Sequence, residues 1–185
     1  MSHFVRYLQL GIEHVLPLGY DHVLFIVALF LLNSKLKTAF IQCTLFTIAH
    51  SLTLALAIFD FINIPTQVIE TAIAFSIALV AIENLFIPTL NILRLSLVFL
   101  FGLLHGLGFA NALKEIGIPK SQLIGSLFGF NLGVEIAQLL IILICYISIA
   151  YFWKKKDWYQ EKLINPLNMI IACTALVIGI QRLLN

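Results

Sequence analysis

The sequence predicts an all-α fold, namely a polytopic membrane helix bundle of about six transmembrane helices with an N-terminal interfacial or re-entrant helix, in one domain over residues 1–185. Composition is the first reason, since 61% of the residues are hydrophobic and only 11% are charged, whereas soluble domains are about half apolar and about a quarter charged. The mean hydropathy of +1.04 agrees with this. Long apolar stretches separated by Pro, Asn, Gly or charged residues are the third observation, because such residues end helices.

The N-terminal segment has its own pattern. Residues 3–16 alternate as an amphipathic helix does. Pro17 and Gly19 then interrupt the pattern, and the apolar stretch that follows, 18–33, is shorter than the roughly 20 residues of a spanning helix. We therefore expect an interfacial or re-entrant helix that turns at Pro17 and Gly19 into a half-length span.

Five further spans follow, and each reaches the length of about 20 residues that crosses a bilayer. They lie at 37–60, 66–88, 92–113, 120–152 and 162–184.

Loop charges predict the orientation, because cytoplasmic loops carry an excess of Lys and Arg. One side of the predicted bundle has Lys35, Lys37, Arg94, Lys154, Lys155, Lys156 and Lys162. The other side has Arg6, Lys114, Lys120 and Arg182. The larger set predicts the cytoplasmic side, so both termini are expected outside the cytoplasm, and the bacterial inner membrane is the expected location.

Ionisable and amide side chains inside the predicted spans are the main functional signal. A charge at the bilayer centre costs about 2.5–3.5 kcal/mol on insertion scales, so such residues usually mark an ion path or a site. No Lys or Arg is expected deep in the spans to pair with the carboxylates, so a cation, a proton or a hydrogen-bond network must do so. Imidazole with carboxylate is a ligand set for divalent transition metals. These candidates are Asp21, His22, His50, Glu83, His105, Asn131 and Glu135.

Spacing favours a shared site. Asn131 and Glu135 are four residues apart and so share a helix face. Glycines at 102, 106 and 108 surround His105, and glycines let helices approach closely. A plain helix contact without a ligand explains the same glycines, and both readings stay open.

Charge and cysteine content argue against a nucleic-acid-binding protein and against a redox or metal role for the cysteines. The net charge is +2 and no basic block is long enough for nucleic acid. The three cysteines are far apart in apolar segments and are expected to be small buried side chains without a redox or metal role. The expected partners are a metal ion and the lipid bilayer, with no nucleic acid and with a homo-oligomer left open.

Several segments resemble the HupE/UreJ family of hydrogenase and urease accessory membrane proteins, along nearly the whole chain. They are GIEHVLPLGYDHVLF at 11–25, FTIAHSLT at 46–53, AIEN at 81–84, FGLLHGLGFA at 101–110 and FNLGVE at 130–135. The resemblance implies permeation of nickel or cobalt, by a secondary transporter or a facilitated-diffusion channel.

The resemblance also implies ligands. The family's first motif, a His, a spacer and Asp-His, corresponds to His14, Asp21 and His22, with six residues in the spacer where the nickel permeases have five. Of its second motif, two histidines and a glutamate, only His105 matches here, since a Phe and a Gly stand at the other places. The full candidate set of metal ligands is then His14, Asp21, His22, His50, Glu83, His105, Asn131 and Glu135.

Three functions are consistent with these residues. The leading one is permeation of Ni, Co or Zn, with outer capture at Asp21 and His22, a central relay of imidazoles and Glu135, and Glu83 as inner acceptor. Protonation of the ligands competes with metal, so uptake is expected to fall at low pH.

The second function is an intramembrane metal-dependent hydrolase or acyltransferase that uses the same cluster to activate water, with Glu135 or Glu83 as general base. The third is a metal-loading or assembly accessory protein.

Overall fold

The computed structural model describes residues 3–59, 61–62, 64–116 and 122–185, without the side chains of 110–116. Its helices, in chain order, are α1 His3–Val15, α2 Tyr20–Leu31, α3 Leu36–Ile58, α4 Thr66–Phe86, α5 Ile92–Ile116, α6 Leu123–Cys145 and α7 Asn165–Leu184. A π-helical segment, Tyr146–Tyr151, continues α6, and another, Gln160–Ile164, leads into α7. The described residues contain no strand, so the predicted all-α class is confirmed.

Within the described residues, five helical stretches are long and apolar enough to cross a membrane. They are Leu36–Ile58, Thr66–Phe86, Ile92–Phe109, Leu123–Tyr151 and Gln160–Leu184. Helices α1 and α2 are bent by 72° at a short break and make a sixth span if counted together. The predicted bundle of about six spans and the predicted turn at Pro17 and Gly19 are confirmed, and the chain is an integral membrane protein. The predicted start of the fifth span at 120 lies outside the described residues.

Glycines place α1 directly against α6. A Cβ atom on Gly11 would overlap the backbone carbonyl of Phe130, and one on Gly133 would overlap that of Leu8. Only glycine permits such an approach of two helix backbones. The amphipathic face of α1 is thereby buried, with Tyr7 only 2% exposed, and the end of α1 is directed into the bundle.

Glycines on α5 bring this helix equally close to α3. A Cβ atom on Gly106 would overlap the carbonyl oxygen of His50, and Thr53 donates a hydrogen bond of 2.7 Å to the carbonyl of Leu103. The close contact expected around His105 is therefore confirmed. It sets the turn that carries His105 against the turn that carries His50.

Contacts between loops and termini define two ends of the bundle. Lys154 donates hydrogen bonds to the carbonyls of Asn33 at 2.9 Å and Ser34 at 2.7 Å, so the α2–α3 and α6–α7 connections lie together. We name this side the lysine end. At the other side, Arg182 in the last turn of α7 bonds Asp21 at the start of α2, and we name that side the Asp21 end.

A buried arginine corrects one expectation about these ends. Arg94 lies near the start of α5 and is 0% exposed. Its guanidinium donates to Oε2 of Glu83 at 2.6 Å and to Oε1 of Gln42 at 2.8 Å. The expectation that no Lys or Arg lies inside the bundle to pair with carboxylates is therefore wrong. The reason is that groups on two neighbouring helices bond Nε and Nη1 of this cation, which the spacing along one helix does not reveal.

Candidate metal centre

Four imidazole rings meet where the bent N-terminal helix pair packs against α3 and α5. His14 lies in the last turn of α1, His22 in the first turn of α2, His50 in α3 and His105 in α5. The centroid of the His22 ring is 4.5 Å from that of His14, 5.9 Å from that of His50 and 5.1 Å from that of His105. We name these four residues the histidine cluster, and His22 contacts the other three rings.

Three members of the cluster can hold one ion. One ring nitrogen each from His14, His22 and His50 lies within 4.8 Å of the other two. Nitrogen ligands with bonds of about 2.0–2.1 Å stand about 3.3 Å apart around a tetrahedral ion. Small rotations of the rings therefore suffice to bring the three nitrogens onto one ion.

Five of the eight ring nitrogens of the cluster have no hydrogen-bond partner among the described residues. Among the described residues, Nε2 of His14, His22 and His105 and both ring nitrogens of His50 are buried without a hydrogen bond. The Nδ1 atom of His105 lies 2.8 Å from the carbonyl oxygen of Phe101, so Nδ1 carries the proton and Nε2 presents a lone pair. Buried polar groups are nearly always paired, and a metal ion is a partner that several lone pairs can share.

Aromatic rings enclose the cluster. The ring of Phe109 is 3.9 Å from His14 between centroids, and Phe46 is 4.9 Å from His105. His50 is 0% and His105 1% exposed. Because the surroundings are apolar, water competes poorly for the imidazole nitrogens, and an ion is attracted more strongly to them than it would be in water.

A cavity at the Asp21 end reaches the cluster. Its volume is about 420 Å³, and its lining includes His14, His22 and His105. Glu13, Asp21 and Glu70 also line it. The cavity therefore joins a carboxylate-bearing entrance to three of the four imidazoles.

Asp21 lies at this entrance but is paired with a cation. Its Oδ2 atom accepts a hydrogen bond of 2.8 Å from Nη2 of Arg182. Its Oδ1 atom is buried and has no hydrogen-bond partner among the described residues. Of the two oxygens, Oδ1 is the one that remains available to an ion, and the role of Asp21 as a ligand stays a prediction.

Of the remaining predicted ligands, Asn131 adjoins the ring of His50, whereas Glu135 and Glu83 have their polar partners outside the cluster. Oε1 of Glu135 accepts a hydrogen bond of 2.8 Å from Thr44, while its Oε2 is buried without a described partner. Asn131, one turn earlier on α6, donates to the carbonyl of Leu127, and its Oδ1 is likewise unpaired. Glu83 lies at the lysine end in its ion pair with Arg94. The structure thus groups the histidines and does not bring Glu83 to them.

Sequence reasoning missed the two arginines and the amides that accompany them. Arg94 and Arg182 both fall inside the predicted spans 92–113 and 162–184, yet they count there as loop charges. Their position within span limits is the signal that identifies them as partners of buried carboxylates. Gln42 carried no such signal, because an uncharged side chain in a span is not costly enough to stand out.

Comparison with known proteins identifies the family of the chain. The model of the HupE / UreJ protein family matches residues 1–182. Neither the curated proteins nor the solved structures contain a significant match. Since the family match extends over essentially the whole length, this chain belongs to the HupE/UreJ family.

Proposed function

We propose that the protein lets a divalent transition-metal ion, Ni²⁺, Co²⁺ or Zn²⁺, cross the membrane by way of the histidine cluster. Membership of the HupE/UreJ family indicates a transport or accessory role in nickel or cobalt handling. The observation that carries the proposal is the set of three ring nitrogens within 4.8 Å, from His14, His22 and His50. His22 and His50 of this set are buried and His14 is partly buried, and His14 and His22 line the cavity.

The ligand chemistry suits passage better than permanent storage. A permeation site must replace the hydration of the ion and still release it. Imidazole binds Zn, Cu, Fe and Ni, whereas closed structural zinc sites are rich in thiolate. The donors within the cluster are all imidazoles, and each comes from a different helix. Small relative movements of the helices can therefore take the ligand set apart.

A polar route continues from the cluster toward the lysine end. Thr47 on α3 donates a hydrogen bond of 3.0 Å to Gln138 on α6, next to the pair of Thr44 and Glu135. At the lysine end, the buried guanidinium of Arg94 bonds Glu83 and Gln42. Under this proposal, passage toward the lysine end requires a second conformation in which these contacts open.

The proposal is tested by metal flux. The purified protein in proteoliposomes that contain a metal-sensitive dye is exposed to Ni²⁺, Co²⁺ or Zn²⁺ outside. We expect the substitutions His22→Ala and His50→Ala to reduce flux at least about tenfold, because each removes one of three ligands. His3→Ala is the matched control, since His3 is exposed and lies outside the cluster.

Other results would favour the other functions. Wild-type flux in both cluster variants would contradict the proposal. One tightly held ion per chain, no flux and turnover of a lipid or lipidated substrate would favour the intramembrane hydrolase or acyltransferase. Tight metal binding without flux, together with co-purification of a larger complex, would favour the accessory role.

A further inference from the structure

Arg182 bonds several groups at the cavity entrance. Its Nη2 atom donates to Oδ2 of Asp21 at 2.8 Å and to the hydroxyl of Tyr20 at 2.7 Å. Its Nη1 atom donates to the carbonyl oxygen of Glu70 at 3.0 Å, and its Nε atom is 3.7 Å from the carboxylate of Glu70. One guanidinium therefore joins α2, α4 and α7, and it touches two of the carboxylates that line the cavity.

The electrostatic consequence is that the guanidinium offsets one of the two negative charges at these positions, so that the pair carries a net charge of about −1 instead of about −2. Asp21 and Glu70 both lie within 4 Å of the guanidinium. Asp21 and Glu70 contact the same guanidinium, so its loss would leave two uncompensated carboxylates at one part of the entrance. Oxygen ligands of this kind are what Mg²⁺ and Ca²⁺ prefer. A hard cation attracted there would compete with a transition-metal ion for access to the cluster.

The groups behind the entrance prefer transition-metal ions to hard cations. His22 follows Asp21 directly, is 5% exposed and has an unpaired Nε2 atom in the cavity wall. Neutral imidazole binds borderline transition metals much better than it binds Mg²⁺ or Ca²⁺. The cavity thus has carboxylates at its mouth, two of them in contact with a guanidinium, followed by imidazoles whose Nε2 atoms have no hydrogen-bond partner among the described residues.

We propose that Arg182 is a specificity-determining residue, which holds the entrance carboxylates so that hard divalent cations are not captured there. This inference rests on the proposed metal passage, because only then does capture at the entrance matter. A guanidinium suits the role better than an ammonium, since its planar fork contacts both carboxylates at once. The pair with Asp21 is partly exposed, at 16% and 17% of the two side chains, so a passing ion can exchange with it.

The test compares Ca²⁺ binding in the wild-type protein and in Arg182→Gln by isothermal titration calorimetry. We expect the variant to bind Ca²⁺ about tenfold more tightly, because two carboxylates lose their cation. In proteoliposomes, the Ca²⁺ concentration that halves Ni²⁺ flux should fall by about the same factor. Arg6→Gln is the matched control, since it removes the same charge from an exposed position.

A second and a third variant keep the inference falsifiable. Arg182→Lys should bind Ca²⁺ about threefold more tightly than wild type, because an ammonium cannot hold both carboxylates together. Adding Asp21→Asn to Arg182→Gln should return the Ca²⁺ affinity to about the wild-type level. Unchanged Ca²⁺ affinity in both single variants, or a gain equal to that of Arg6→Gln, would overturn the inference. Calorimetry measures Ca²⁺ binding without any flux. If the wild type transports no Ni²⁺, the proposed function is refuted, whereas the calorimetric comparison of the variants still shows whether Arg182 limits Ca²⁺ binding.

Discussion

The two ends of the bundle each contain an arginine paired with a carboxylate, and the two pairs differ in burial. At the Asp21 end, the side chains of Arg182 and Asp21 are 16% and 17% exposed and border a cavity. At the lysine end, those of Arg94 and Glu83 are 0% and 10% exposed. Exposed ion pairs contribute about 0–1 kcal/mol, whereas removal of one partner of a buried pair costs about 3–5 kcal/mol. We therefore expect the arginine–carboxylate pair at the Asp21 end to open at little cost in free energy, and the pair at the lysine end to contribute to the stability of the fold.

The two arginine–carboxylate pairs lie far apart along the bundle. Glu70 and Glu83 lie on the same helix, α4, so their backbones are separated by about 20 Å along its axis. The histidine cluster adjoins the Asp21 end, where the cavity gives access to it. The lysine end instead has hydrogen bonds from Arg94 to Gln42 and to the carbonyl of Val80. An entrance that binds and releases ions needs weak contacts, and a closed end needs strong ones.

The largest loss of stability is expected from a substitution at the lysine end. Glu83→Ala leaves the charge of Arg94 buried and unpaired, so the free energy of unfolding should fall by about 3–5 kcal/mol. Asp21→Asn at the other end should change it by about 1 kcal/mol or less. Denaturation of both variants in detergent measures the difference. Equal losses of stability would break the contrast between the two ends.

The next effect concerns metal affinity in the histidine cluster. His22→Ala removes one of the three ring nitrogens that lie within 4.8 Å of one another, and we expect the affinity for Co²⁺ to fall about 100-fold. His105 lies outside this set of three, so His105→Ala should lower the affinity only about tenfold, as loss of a neighbouring group does. Titration followed by the Co²⁺ absorption spectrum distinguishes the two. The reverse order would show that His105 is a primary ligand.

A smaller effect is expected from the contact that holds α1 in place. Gly11→Ala puts a methyl group against the carbonyl of Phe130, which should destabilise the protein by about 1–3 kcal/mol and shift His14. Metal affinity should fall with it, because His14 follows on the same helix. Gly125→Ala is the matched control, since no atom lies within 4 Å of its Cβ position. A Gly11→Ala protein with wild-type stability and affinity would contradict the packing of α1 described above.

The smallest change in stability is expected from a single hydrogen bond between the two connections at the lysine end. The hydroxyl of Tyr159 donates a hydrogen bond of 2.8 Å to Ser34 and links the two connections there. Tyr159→Phe should lower the free energy of unfolding by about 0.5–1.5 kcal/mol and leave metal flux unchanged. Thermal unfolding and the dye assay measure the two quantities. A stability loss as large as that of Glu83→Ala would mean that the lysine end does not depend chiefly on Arg94.

Much of the architecture was predictable from local pattern. Apolar stretches of sufficient length predict spanning helices because the bilayer imposes that length. Pro17 and Gly19 predict the bend between α1 and α2 because neither residue continues a helix well. The glycines around His105 predict its close approach to another helix, although they do not say which helix.

The site was predictable only in its residue types. Imidazoles in apolar spans stand out because placing them in a membrane is costly. Nothing along the chain shows that the ring nitrogens of His14, His22 and His50 come within 4.8 Å of one another, since they belong to three helices. The role of Glu83 as an inner metal acceptor stays a prediction, and its ion pair with Arg94 is the contact that any such role must displace.

By itself, therefore, the sequence determined the membrane class, the helix limits to within a few residues and the kind of ligand that the protein offers. These depend on properties of each segment, such as length, hydropathy and residue type. The tertiary structure alone decided which carboxylates are held by arginines and which polar groups are left for an ion. Asp21 and Arg182 are 161 residues apart in the chain, and only the packing of helices brings such groups within hydrogen-bond distance.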